Sequence, residues 1–127
     1  MTRLVFGAAL FAALAVPAAA VDVENGKAIF NKCRACHQIG EGAKNMVGPV
    51  LNGLFGRKAG SIAGFNYSEA NKSSGITWDE PTFREYIKSP KAKIPGTKMV
   101  FVGISDDQDI DDLVAFLKQF DAEGKKQ

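Results

Sequence analysis

The pentapeptide Cys33-Arg34-Ala35-Cys36-His37 constrains this chain more than any other feature. Its two cysteines and its histidine are the only ones among the 127 residues. C-x-x-C-H is the signature of covalent haem attachment. Thiols three positions apart lie on one side of a helical turn and can add to two vinyl groups on neighbouring pyrroles, and the histidine that follows is carried beneath the iron. Other readings of these residues are weaker. A thioredoxin-like redox pair expects a βαβ context, and no strand signal is present. A structural zinc site needs four ligands, and the chain offers two Cys and one His. A plain disulfide, the ordinary reading of a lone pair in an oxidising compartment, would close a tight, strained ring and leave His37 unexplained.

A single histidine settles further questions. Once His37 ligates iron, no imidazole is left for a Ser-His-Asp triad, a bis-histidine haem or a distal acid–base. A sixth ligand must be another residue type, or the position stays open. Of the three methionines, Met1 leaves with the leader described below. Met46 follows His37 so closely that it reads as a gap-filler or an exposed side chain. Met99 lies far downstream in Lys93-Ile94-Pro95-Gly96-Thr97-Lys98-Met99-Val100-Phe101, flanked by aromatic and aliphatic residues. It is the expected iron ligand, because electron-transfer haems favour Met/His pairs.

Residues 1–20 read as a cleavable signal peptide and 21–127 as a single domain. Arg3 is a short positive start, Leu4 to Val16 an uncharged apolar run, and Pro17 a break before Ala18-Ala19-Ala20, a small-residue cleavage pattern. As a helix the run spans roughly 20 Å, short of the roughly 30 Å hydrocarbon core; an uncleaved anchor is the rival. Cleavage after Ala20 leaves Val21 to Gln127, and loss of Arg3 takes the net charge from +2 to +1. That charge excludes a basic nucleic-acid footprint.

The mature chain reads as all-α. Asp22 can cap a helix running from Val23 to Lys32. Gly40 to Gly60 is punctuated by glycines with no sustained period, a stretch that needs something else to organise it, such as a buried macrocycle. Tyr67 to Ser73 suggests a short helix. Thr77 and Glu80 form a capping box with Pro81 in the first turn, opening a helix that must end before Pro90. Lys91 to Ile104 reads as irregular. Ser105 and Gln108 form a second capping box, and Ile110, Leu113, Val114, Leu117 and Phe120 follow at helical spacing. The stripes are thin for so much loop, and a central haem would add the missing apolar surface.

With Cys33, Cys36, His37 and Met99 in place, the chain resembles class I cytochrome c, the mitochondrial type and its bacterial periplasmic relatives. The resemblance runs from Val23 to Lys118. It rests on Gly26-Lys27-x-Ile29-Phe30, the haem motif, Gly48-Pro49-x-Leu51-x-Gly53-Leu54-Phe55-Gly56-Arg57-Lys58, Tyr67-Ser68-x-Ala70-Asn71, Gly75-Ile76-Thr77-Trp78 and the Met99 segment. It implies a small cytochrome c fold, three to five helices and long loops wrapped round one covalent haem c. It also implies that the Pro49 carbonyl accepts the His37 Nδ1–H, and that Arg57, Tyr67, Asn71 and Trp78 surround a haem propionate. Tyr86 and Thr97 should form a network at the Met99 sulfur, and Gly26 should allow the first and last helices to cross, with Phe30 near Phe116. The chain departs from the family in three ways: Phe116 stands in place of a frequent tyrosine, Ala92 interrupts a lysine run, and the last helix is rich in aspartate.

The function expected is a periplasmic, monomeric, mobile one-electron carrier and not an enzyme. It would dock weakly onto acidic membrane-bound redox complexes through Lys32, Lys44, Lys91, Lys93 and Lys98. The alternative is a haem enzyme or gas sensor in which Met99 is absent from the iron or detaches. A disulfide-bonded domain without haem is a third possibility.

Overall fold

The structure is a computed structural model that describes residues 1–10, 12 and 20–127. The expected leader therefore falls partly on residues 11 and 13–19, outside the described residues. Among the described residues there are five helices: α1 (Val23–Phe30), α2 (Glu69–Lys72), α3 (Glu80–Lys88), α4 (Pro90–Lys93) and α5 (Asp107–Leu117). None of them is long and apolar enough to cross a membrane. The all-α expectation holds, with two isolated antiparallel bridges, Lys58 with Thr77 and Phe120 with Lys126.

The frame is the crossing of α1 over α5. Asp22 caps α1, its side chain accepting from the Asn25 N–H. Gly26 and Phe30 are the buried positions of α1, and Phe30 meets Phe116 at 5.3 Å between ring centroids. At the crossing, a Cβ on Gly26 would collide with the Asp112 backbone carbonyl and lie 2.8 Å from Phe116 Cβ. Glycine is therefore required for proximity. Around this contact Ile110, Leu113, Val114 and Leu117 of α5 join Leu54, Trp78, Phe83, Tyr86, Ile87, Ile94 and Ile104 in one core.

Asp112, one of the aspartates in which the last helix is rich, is only 2% exposed. It accepts from the Asp22 N–H at 2.8 Å, Asn25 Nδ2 at 2.7 Å and Gln108 Nε2 at 2.9 Å. A buried carboxylate needs such partners. Here the partners belong to both helices, so the group pins one to the other. Those hydrogen bonds, led by the Asp22 N–H, hold its pKa below the ordinary carboxylate value, and burial opposes them in part.

Several element boundaries differ from expectation, each for a local reason. The first helix stops at Phe30, two residues before Lys32, because the chain tightens there: Cys33 N–H bonds Phe30 O at 2.8 Å and Cys36 N–H bonds Cys33 O at 3.1 Å. The Tyr67–Ser73 helix is confined to Glu69–Lys72, capped by Ser68. Helix α3 is capped by Asp79 rather than Thr77, because Thr77 is drawn into the bridge with Lys58 and Trp78 N–H bonds Arg57 O at 2.9 Å. Helix α5 is capped by Asp106 rather than Ser105, and Gln108 turns instead to Asp112. Pro90 ends nothing more than α3: it opens α4 within the stretch read as irregular, since proline is well suited to a first helical turn.

Two outcomes follow from the crossing. Gly26→Ala should lower stability by about 3 kcal/mol, the upper end of overpacking costs, read as a shift in urea midpoint. The depressed folded-state pKa of Asp112 means that its contribution is complete above the unfolded value, about 3.9, and lost as pH falls through the lower folded value. Asp112→Asn should therefore be less stable than wild type at pH 7, and the gap should shrink in denaturation curves recorded below about pH 4.

Candidate haem site

The core is hollow. A cavity of about 730 Å³ lies within it, inside the roughly 300–1,000 Å³ range of small-molecule and cofactor sites. Cys33, Cys36 and His37 line one side, Tyr86, Thr97 and Met99 another, and Arg57, Tyr67, Asn71 and Trp78 a polar end. The sequence-designated residues thus converge on one space, together with Pro49.

On the first side, α1 hands the chain directly into the pentapeptide, whose turn closes by His37 N–H to Cys33 O at 2.9 Å. His37 Nδ1 is 2.7 Å from the Pro49 carbonyl. A carbonyl only accepts, so Nδ1 carries the proton. Burial lowers the His37 pKa, opposed by that hydrogen bond, which favours the neutral ring with a lone pair on Nε2. That is the form a metal requires. Gly48 lets the strap pass close behind the ring; a Cβ there would lie 2.7 Å from His37 Nδ1 and Nε2. Both cysteines are free. Burial, and then the neighbouring Cys36, push the Cys33 thiol up to about 11, unlike the depressed values of reactive redox pairs.

Elsewhere in the lining, the Tyr86 hydroxyl donates to Met99 Sδ at 3.1 Å, and the Met99 N–H donates to Thr97 Oγ1 at 3.2 Å. Tyr86 is held by Trp78, 4.8 Å between centroids in an edge-on arrangement, and burial raises its pKa. Gly96, at φ +90, turns the loop that presents Met99.

At the polar end, Arg57 Nη1 donates to the carbonyls of Val50 at 2.9 Å and Asn52 at 3.1 Å. Burial lowers its pKa. The Tyr67 hydroxyl accepts from the Ile62 N–H at 3.1 Å, which leaves its own O–H to donate elsewhere. Asn71 Oδ1 is buried with no partner. The donors at this end, the remaining N–H groups of the Arg57 guanidinium and the free Tyr67 O–H, suit an acidic group. The whole lining fits a haem: apolar walls, neutral imidazole and thioether on different sides, two thiols at one edge and polar groups at one end.

The lysines expected to dock differ in their surroundings. Lys32 and Lys98 line the cavity, and Lys44 and Lys91 are exposed. Lys93 is engaged by Glu85 at 2.5 Å. Val47 and Val100 also line the cavity while remaining 75% and 91% exposed, as does Met46 at 51%. The two valines went unnoticed in the sequence, where an isolated valine in a loop carries no periodic signal. Met46 Sδ accepts from Gln38 Nε2 at 2.8 Å, in keeping with its reading as exposed.

Comparison with known proteins agrees with this geometry. The family model described as Cytochrome c matches residues 23–121. The cytochrome c2 of Blastochloris viridis is 61% identical over 126 residues, 99% of each chain. The cytochrome c-550 of Nitrobacter winogradskyi is 64% identical over 104 residues, 82% of this chain and 95% of that one. Among solved structures, cytochrome cH from Methylobacterium extorquens superposes with a TM-score of 0.72 at 45% identity, covering 77% of this chain and 98% of the other. Cytochrome c2 from Rhodospirillum centenum gives 0.75 at 39%, covering 79% and 98%. The cavity, with an imidazole and a thioether in its lining, and these relatives lead to one conclusion: the chain belongs to the cytochrome c family, electron carriers rather than enzymes, with one covalently attached haem c.

Proposed function

We propose that this protein is a periplasmic mobile one-electron carrier, with its haem tethered through Cys33 and Cys36 and its iron held between His37 Nε2 and Met99 Sδ. The observation that carries this reading is that a Pro49-anchored imidazole and a Tyr86-anchored thioether line one cavity. The iron supplies reversible cycling between ferrous and ferric states. The residues supply the rest. Pro49 holds the imidazole proton and strengthens the ring as a donor. Tyr86 and Thr97 orient Met99, and the Tyr86 O–H withdraws electron density from its sulfur, favouring the ferrous state. Arg57, Tyr67, Asn71 and Trp78 compensate a buried propionate. His37 and Met99 would hold the iron with a pair of protein ligands, a set that suits electron transfer rather than substrate chemistry at the metal.

Export is supported by the composition of residues 1–20. Docking is assigned to Lys32 and Lys98, which line the cavity, and to the exposed Lys44 and Lys91. Lys93, its charge already shared with Glu85, contributes less.

Three measurements test these assignments. Ferrous protein should bind CO slowly or not at all and ferric protein should show a near-infrared methionine–iron band; rapid CO binding would favour a haem enzyme or sensor instead. Tyr86→Phe should keep the fold and lower the midpoint potential by a few tens of mV, because one neutral hydrogen bond contributes about 1 kcal/mol. Stopped-flow electron transfer to an acidic membrane complex should slow as ionic strength rises; a rate indifferent to salt would sink the docking role of the lysines.

A further inference from the structure

Beyond the last turn of α5 the chain folds back in a compact tail. Phe120 pairs with Lys126 in an antiparallel bridge, and the Gln127 N–H returns to Gln119 O at 2.8 Å. The Asp121 carboxylate organises the turn, accepting from the Glu123 N–H at 3.0 Å, the Lys125 N–H at 2.8 Å and Gln127 Nε2 at 2.9 Å. Most of this tail lies past residue 121, where the match to the family ends.

The tail packs against the strap that carries Pro49. Gly124 is buried, so close to Gly40 that a Cβ would overlap the Gly40 carbonyl and lie 2.7 Å from Asn52 Nδ2. A Cβ on Gly53 would lie 2.9 Å from Ala122 Cα, and the Gly53 N–H donates to Phe120 O at 3.3 Å. The strap is closed on itself at the same place: Gly40 N–H to Asn52 Oδ1 at 2.8 Å, Asn52 Nδ2 to Gly40 O at 3.0 Å, and Leu51 N–H to Gln38 O at 3.0 Å. Pro49 sits inside this loop and faces His37.

We propose that residues 119–127 act as a brace that holds the Gly40–Gly53 strap against His37, and so sets how firmly Pro49 keeps the imidazole proton. The link to the iron rests on the ligation reading above. A side chain at 124 has no room unless the tail lifts away. Once it lifts, the Asn52–Gly40 clasp loses its backing, the Pro49 contact loosens, and His37 becomes a weaker donor. The ferrous state is then favoured and the potential rises.

The test compares holoprotein ending at Phe120, full-length Gly124→Ala and a control, Glu123→Ala, whose side chain is exposed. Amide exchange at Gly40 and Leu51 should accelerate about tenfold or more in the first two, as a local opening. Amides of α1 and α5 should stay protected, and the midpoint potential should rise; the control should match wild type. If truncation prevents folding, Gly124→Ala carries the test alone. An unchanged potential, or equal acceleration in α1 and α5, overturns the brace. The ligation reading is checked separately in the wild type through iron-shifted His37 ring resonances. Their absence would sink that reading and the link to potential together, whatever the exchange rates.

Discussion

The rest of the structure depends on the close crossing of α1 and α5 at Gly26. The haem motif hangs from the end of α1 by only a turn or two, so the position of His37 is inherited from where α1 lies. Apolar contact between Phe30 and Phe116 supplies the attraction. Attraction of this kind is non-directional and would tolerate sliding. The buried Asp112 carboxylate removes that freedom, because its bonds to Asp22 and Asn25 are satisfied in one register only. A hydrophobic contact therefore sets the strength of the crossing, and a polar one sets its register.

From this frame the cavity is built mainly of loop. Loops normally avoid the interior because their backbone groups cannot all be paired there. Here the pairing is supplied by side chains bonding to backbone: Asn52 across Gly40, Arg57 onto the carbonyls of residues 50 and 52, Asn45 onto the Val50 N–H. The strap is therefore a constructed object with its own internal bonds. Low dielectric then acts on whatever faces the cavity. Burial lowers the His37 pKa, which favours a ring able to donate a lone pair.

Legibility in the sequence followed the range of the interactions involved. The pentapeptide, Met99 and the α5 stripe were readable because each is a local pattern with its own chemistry. The helix starts at Asp79 and Asp106 were displaced from Thr77 and Ser105, since a candidate cap competes with its neighbours and the winner depends on distant contacts such as the Lys58–Thr77 bridge. Asp112 was the largest omission. In sequence it is one aspartate among several on a polar helix face, and nothing local distinguishes it from Asp111, which pairs at the surface with Arg84.

By itself the sequence determined that one haem is attached and that histidine cannot be its second ligand, because covalent chemistry and a count of residue types do not depend on fold. It also determined which residues could surround the group, through the resemblance carried by the motifs. Only the tertiary structure decided that Asn71 Oδ1 is left without a partner, that Lys93 is engaged by Glu85, and that the tail lies against the Pro49 strap. Each of these joins groups on different elements. Their separation is set by helix crossing and loop path, quantities to which no single stretch of chain is privy.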